Sequence, residues 1–355
     1  MRHATGCSSA SWAALRPQLL FLLLVLGIVA AFFFDIMWGA TSLSAGEVWD
    51  ALWTGDDSVT GTYVVRHFRL PKALTALFAG AGVAVAGLQM QSLFRNPLAD
   101  TSILGINSGA GVGVAIYTMA YAFFPTVALF NSGVSSWGII LAACIGAAVV
   151  LLLITGVASR GRSVVSVLIV GVMVGFLASS IISILQYFSD EETLKTYLLW
   201  SFGSVAGTTW RQLHLLMPVV ALGLGLALLM PKPMNALALG EGYARSVGTN
   251  VPRVRFALIA ITSLLAGSIT AFTGPIAFLG MAVPHFVRTL FRTSDHRILL
   301  PATMLSGALL LLVCDLLTQL PGRGLTLPIN ALTSLIGAPV VIFVVLRSQR
   351  GSFSL

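Results

Sequence analysis

Between Lys72 and Arg95 the chain carries no charge over positions 73–94, a run built mainly from Ala, Gly, Val and Leu. In hydrocarbon every backbone N–H and C=O must find its partner within the chain. A run of this length is therefore constrained to cross a bilayer as a helix. Both ends are marked: one by Arg69-Leu70-Pro71-Lys72, the other by Arg95-Asn96-Pro97-Leu98-Ala99-Asp100. These are clusters of charge, proline and amide rather than plain loops. A spanning helix with specialised chemistry at each end suggests a machine that meets something on both sides of a membrane.

The rest of the chain agrees. Of 355 residues, 57% are hydrophobic and 9% charged, with a mean hydropathy of +0.94. Soluble domains carry about 25% charged residues, so a polytopic, all-helical membrane protein is expected. The net charge of +8 is assigned to cytoplasmic loops facing anionic lipid, not to nucleic acid. Cys7, Cys144 and Cys314 imply no disulfide framework. The first apolar run, Leu19 to Phe34, is read as a retained helix rather than a cleaved signal, because no clean small-x-small site follows it and Phe32-Phe33-Phe34 is bulky.

Ten apolar segments are expected, near 18–37, 70–92, 102–123, 137–157, 164–187, 212–230, 254–272, 275–291, 299–317 and 328–346. They form one transmembrane domain over 18–347, with short tails at 1–17 and 348–355. Placing the N-terminus inside puts 14 of the 20 Lys and Arg on the inner side and 6 outside. Both termini are therefore expected to be cytoplasmic. Ser44 to Leu52 reads as a short interfacial helix with a Ser start. Asp190 to Trp210 reads either as an external loop that dips toward the bilayer or as an aromatic-belt loop. In the cytoplasmic loop 231–255, Ala236 to Val247 is expected to form one helix ended by Gly248. Gly105, Gly109 and Gly113 recur every fourth residue, a mark of close helix packing.

Enzyme chemistry finds little support. There is no G-x-x-x-x-G-K-[ST] loop, since none of Lys72, Lys195 and Lys232 follows glycine. The five histidines form no metal spacing, so no metal site is expected. Asp315 is the clearest intramembrane acid and Asp35 lies near a segment end. A structural pairing with a nearby donor is the preferred reading over a proton relay, which would mark an ion-driven transporter. Gly274-Pro275 and Pro284-His285 are expected to break helices along a pathway. Asn96-Pro97 is expected to make a stiff turn.

RLPK, the Gln89–Leu93 helix end, RNPLAD, Ile103-Leu104-Gly105 with Ser108-Gly109-Ala110, TGPIAFLGMAVPHFVR from Thr273 to Arg288, His296-Arg297 before Leu300-Pro301, and Leu335-Ile336-Gly337-Ala338-Pro339 occur in this order. Together, over about residues 45–347, they resemble the FecCD (BtuC-like) permeases of type II ABC importers. The resemblance implies ten helices per subunit, two permease copies around a central path in the bacterial inner membrane, two cytosolic ATPase subunits that hold the ATP, and an external binding protein. No cofactor is implied on this chain. The cargo classes implied are iron–siderophores, haem or vitamin B12, and the iron chelates are the preferred expectation.

Residue roles follow from the same resemblance. Arg69 and Lys72 correspond to basic residues that dock the binding protein through an exposed ion pair. Asn96, Pro97 and Leu98 correspond to a cytoplasmic gate, with Ser163 near a second closing element. Leu239, Gly240, Glu241, Ala244, Arg245 and Gly248 fall in the element that meets the ATPase. Two departures stand out. Gln319 occupies the place of a second docking arginine, for which Arg323 is a candidate replacement. Thr326 and Asn330 (or Ile329) stand where the family commonly has an acid and a glycine. His67 and His285 are read as interfacial or capping residues rather than haem contacts.

Overall fold

The computed structural model describes residues 7–39, 43–54, 59–119, 135–159, 164–319 and 326–352. No β-strand occurs among them. The helices are α1 (Cys7–Met37), α2 (Ala45–Thr54), α3 (Thr60–Val64), α4 (Leu70–Phe94), α5 (Ile106–Met119), α6 (Ser136–Ser159), α7 (Val164–Phe188), α8 (Glu191–Ser201), α9 (Trp210–Ala227), α10 (Pro231–Ala238), α11 (Glu241–Ser246), α12 (Val251–Thr273), α13 (Leu279–Phe291), α14 (His296–Thr318) and α15 (Ile329–Ser352). A π-helical turn, Val65–Arg69, joins α3 to α4.

Each of the ten expected segments overlaps one helix, and residues 120–123 of the third lie outside the described residues. Seven are long and apolar enough to span a membrane: α1, the α3–α4 unit, α6, α7, α9, α12 and α14. α5 and α13 are shorter, at 14 and 13 residues. α1 begins at Cys7 and α15 runs to Ser352, so both helices extend into the expected tails.

The uncharged run forms the centre of the bundle. In its unit 83% of the apolar window is buried, against 22% for α1 and 17% for α7. Its small residues explain this. A Cβ on Gly80 would collide with the Gly307 backbone of α14, and one on Gly87 with the Gly280 backbone of α13. Lipid gives no hydrophobic drive for helices to associate, so close backbone approach supplies the dispersion contacts that hold them. The glycines spaced by four on α5 serve the same end: Gly109 and Gly113 face the Gly146 and Ala142 carbonyls of α6.

Three local expectations are refined. α2 starts with a capping box, in which Ser44 N and Oγ donate to Glu47 Oε2 at 2.7 and 2.8 Å and Glu47 N donates back to Ser44 Oγ. These bonds hold the Glu47 carboxyl below its usual range. Asp190 to Trp210 is not a plain loop. It forms α8, capped by Asp190 Oδ1 accepting from Thr193 N at 2.8 Å, and then turns into the bundle, where Ser204 N donates to Thr273 O. The single helix expected over 236–247 is two, α10 and α11. Gly240 at φ +118° separates them, a conformation that excludes L side chains. Gly248 ends α11 as expected, with Thr249 N donating to Ala244 O in a Schellman closure.

Candidate functional site

Chemistry gathers at the two ends of α4. At the first end, Lys72 Nζ lies 3.0 Å from Asp35 Oδ1 of α1 and 2.8 Å from Asp315 Oδ2 of α14. Gln319 Nε2 donates to the same Asp35 oxygen at 3.1 Å. Arg69 Nη1 donates to Ile36 O and Met37 O at 2.8 and 2.7 Å, satisfying carbonyls at the end of α1 that have no helical partner. Lys72 thus pairs with both Asp35 and Asp315, which is the structural pairing with a nearby donor expected for Asp315.

The expectation of an exposed basic pair is corrected here. Arg69 and Lys72 are 6% and 8% exposed. The reason is Asp35 and Asp315: burying carboxylates is affordable only with cations beside them. A cavity of about 270 Å³ lies against this cluster, walled by Arg69, Lys72, Asp315, Gln319, Ser204 and Thr326 among others. Arg323 lies outside the described residues.

The second end is a turn. Arg95 adopts a left-handed conformation at φ 47° and closes α4, with Asn96 N donating to Gln91 O. Asn96 Oδ1 accepts from Leu98 N at 2.9 Å, an Asx turn that Pro97 stiffens. Arg95, Asn96, Pro97 and Leu98 are exposed, while Ala99 and Asp100 return to the interior. Ser163, the second gate candidate, lies outside the described residues.

Beside this turn sit α10 and α11. Met234, Leu237 and Ala244 are buried, whereas Leu239, Tyr243 and Val247 are 68%, 50% and 54% exposed. An apolar, outward-facing ridge on polar surroundings suits contact with another protein. Glu241 Oε1 takes Arg255 Nη2 at 2.8 Å and anchors α11 to α12. Of the coupling candidates, Leu239, Arg245 and Gly248 face outward, Gly240 and Glu241 are half-buried, and Ala244 is inside.

One helix break holds and one does not. Gly274 has φ +71° and the chain is unwound up to Leu279. Asn330 Oδ1 accepts from Ala277 N at 2.9 Å, satisfying that opened backbone. Pro284, however, lies inside continuous α13. Proline lacks the N–H that would bind Gly280 O, and Gln91 Nε2 of α4 supplies a donor instead, 3.4 Å from Gly280 O and 3.2 Å from Met281 O. Arg288 Nη1 in turn donates to Gln91 Oε1. His285 is half-buried within α13, and His67 stacks on Tyr63 with ring centroids 4.5 Å apart. Among the described residues no cluster of His, Cys, Asp or Glu could hold a metal ion.

Sequence reasoning missed one assembly near the second end. Ser92, Asn235, Asp295 and His296 meet from three helices and the cap of one. The only linear signal was His296-Arg297 ahead of Leu300-Pro301, read as a motif without a role.

Comparison with known proteins places these features in a wider set. The profile of the FecCD transport family matches residues 23–347. The vitamin B12 import system permease protein BtuC of Shigella boydii serotype 18 is 36% identical over 310 residues, covering 87% of this chain and 91% of that relative. The BtuC protein of Escherichia coli O127:H6 matches equally, at 36% over 310 residues. A solved structure titled as an inward-facing conformation of a metal-chelate type ABC transporter superposes with a TM-score of 0.80. It is 30% identical and covers 93% of this chain and 99% of that one.

Proposed function

The chain belongs to the FecCD transport family and is the permease of an ABC importer, a transport subunit whose ATPase is a separate chain; on that premise we propose that its cargo is a metal chelate of the corrinoid class, vitamin B12 first. The observation that carries this is the 36% identity over 310 residues with vitamin B12 permeases. That kinship favours the corrinoid over the iron–siderophore and haem cargoes expected from family frequency alone. A ferric chelate is the second reading, supported by the metal-chelate transporter of the same fold.

In this proposal the Arg69 end of α4 faces outward and receives the binding protein. Arg69 walls the cavity there and is the first candidate contact. Lys72 is held by Asp35 and Asp315, so its part is to keep the cavity in shape. The Asn96-Pro97-Leu98 turn closes the path on the cytoplasmic side, where both termini lie. The Leu239, Tyr243 and Val247 ridge receives the ATPase. Two copies enclose the path; support comes from the apolar face of α7, where Phe176, Leu177, Ile184 and Phe188 are exposed.

The test is uptake into proteoliposomes containing the permease, its ATPase and its binding protein. Cyanocobalamin should accumulate with ATP, be blocked by vanadate and be outcompeted by unlabelled cobalamin. Accumulation of a ferric siderophore or haem without cobalamin would overturn the cargo. Uptake without any ATPase would overturn the importer.

A further inference from the structure

We infer that His296, held by Asn235, is a positioning residue that carries movement of the α10–α11 loop into the last turn of α4 and so to the Asn96 turn. This rests on the loop being the ATPase contact proposed above.

The argument begins with bond chemistry. The backbone N–H of His296 can only donate, and it meets Asn235 Oδ1 at 2.9 Å. The Asp295 carboxylate accepts, and it meets Asn235 Nδ2 at 2.6 Å. These partners settle the orientation of the Asn235 amide. Its Oδ1 also lies 2.6 Å from His296 Nδ1, so that ring nitrogen carries a proton. The far side of the ring then reaches Ser92 Oγ at 2.7 Å. Asp295 is not idle in this: its Oδ1 caps α14 by accepting from Arg297 N at 2.9 Å.

These bonds join three helices. Asn235 belongs to α10, His296 opens α14, and Ser92 lies one turn before the Asn96 turn. Ser92 and His296 are 6% and 4% exposed, so the bond between them is shielded from water. Apolar side chains can slide past one another, but directional hydrogen bonds in a dry site hold one register. A shift of α10 therefore draws the imidazole with it, and the imidazole draws Ser92.

The test uses the permease assembled with its ATPase. Amide hydrogen exchange of residues 95–100 is compared between nucleotide-free and vanadate-trapped complexes, in wild type, His296→Asn and Ser92→Ala. In wild type the exchange of the turn should change between the two states. In both variants the complex should stay assembled and the change should shrink by about two- to thirtyfold, the range for losing a coupling contact. Ser92→Ala removes only a hydroxyl and decides the matter should His296→Asn fail to fold. An undiminished response in Ser92→Ala overturns the relay, as does a wild-type turn that ignores nucleotide. A normal exchange response without cobalamin uptake would overturn the cargo reading and leave the relay standing.

Discussion

Lys72 Nζ sits 2.8 Å from Asp315 Oδ2, joining the first turn of the central helix to the last turn of α14. The same ammonium holds Asp35 at the end of α1. One buried cation thus ties three helices at one face of the bundle, beside Gln319 rather than a second arginine. With Gln319 donating to Asp35, this face is organised inward, and Arg69 is left as the basic residue on the cavity wall that bonds backbone rather than carboxylate oxygens through its Nη1.

Replacing Lys72 with Met should strand both carboxylates. Removing one partner of a buried ion pair costs about 3–5 kcal/mol, so the purified protein in detergent should melt well below wild type. The triple variant D35N/K72M/D315N should recover most of the loss. A wild-type melting temperature for Lys72→Met alone would show that the pair contributes nothing.

Gly87→Val tests the packing of α4. A side chain there meets the Gly280 backbone, which cannot rotate away, whereas Gly225 on α9 has nothing within 4 Å. Overpacking costs about 1–3 kcal/mol or more where backbone must move. Gly87→Val should lower the monodisperse yield sharply and Gly225→Val should not. Equal yields would refute backbone contact as the cause.

Asn96→Ala removes the acceptor for the Leu98 amide. The bond is solvent-exposed and contributes about 0.5 kcal/mol, so global stability should hardly change. The turn itself should loosen, and passive leakage of cargo through nucleotide-free liposomes should rise. Unchanged leakage would count against the gate.

Asp295 sets a pH test. Its carboxyl is held below the usual value of 3.8, first by the Arg297 amide and then by Asn235. A depressed carboxylate contributes its stability above the unfolded value and loses it as the pH falls through the folded one. The wild-type advantage over Asp295→Ala in thermal melts should thus be constant near neutrality and shrink below about pH 4. An advantage that grew on acidification would reverse the assignment.

Much of the fold was legible because it is local. Long apolar runs located ten of the helices, and the Ser44 start and Gly248 marked ends that formed as read. Where local rules met a tertiary partner they failed. Pro284 was expected to break a helix, yet Gln91, from a helix distant in sequence, supplies the donor that proline lacks. Gly240 divided a helix that composition alone left whole. Of the site, the Asn96 turn was legible because its bonds span two residues. The Asn235–His296–Ser92 assembly was not, since its contacts cross 61 and 204 residues.

The sequence alone determined that this chain lives in a membrane, where its helices run, which family it resembles, and that ATP chemistry belongs to another subunit. Those properties depend on composition, length and motif order along the chain. Only the tertiary structure decided that Arg69 and Lys72 turn inward, that Asp315 is paired with Lys72, and that α10 is bonded to Ser92 of α4 through a histidine. Those depend on how each helix is rotated about its axis. Rotation is set by backbone contacts such as Gly80 on Gly307 and Gly87 on Gly280, between residues no linear pattern brings together.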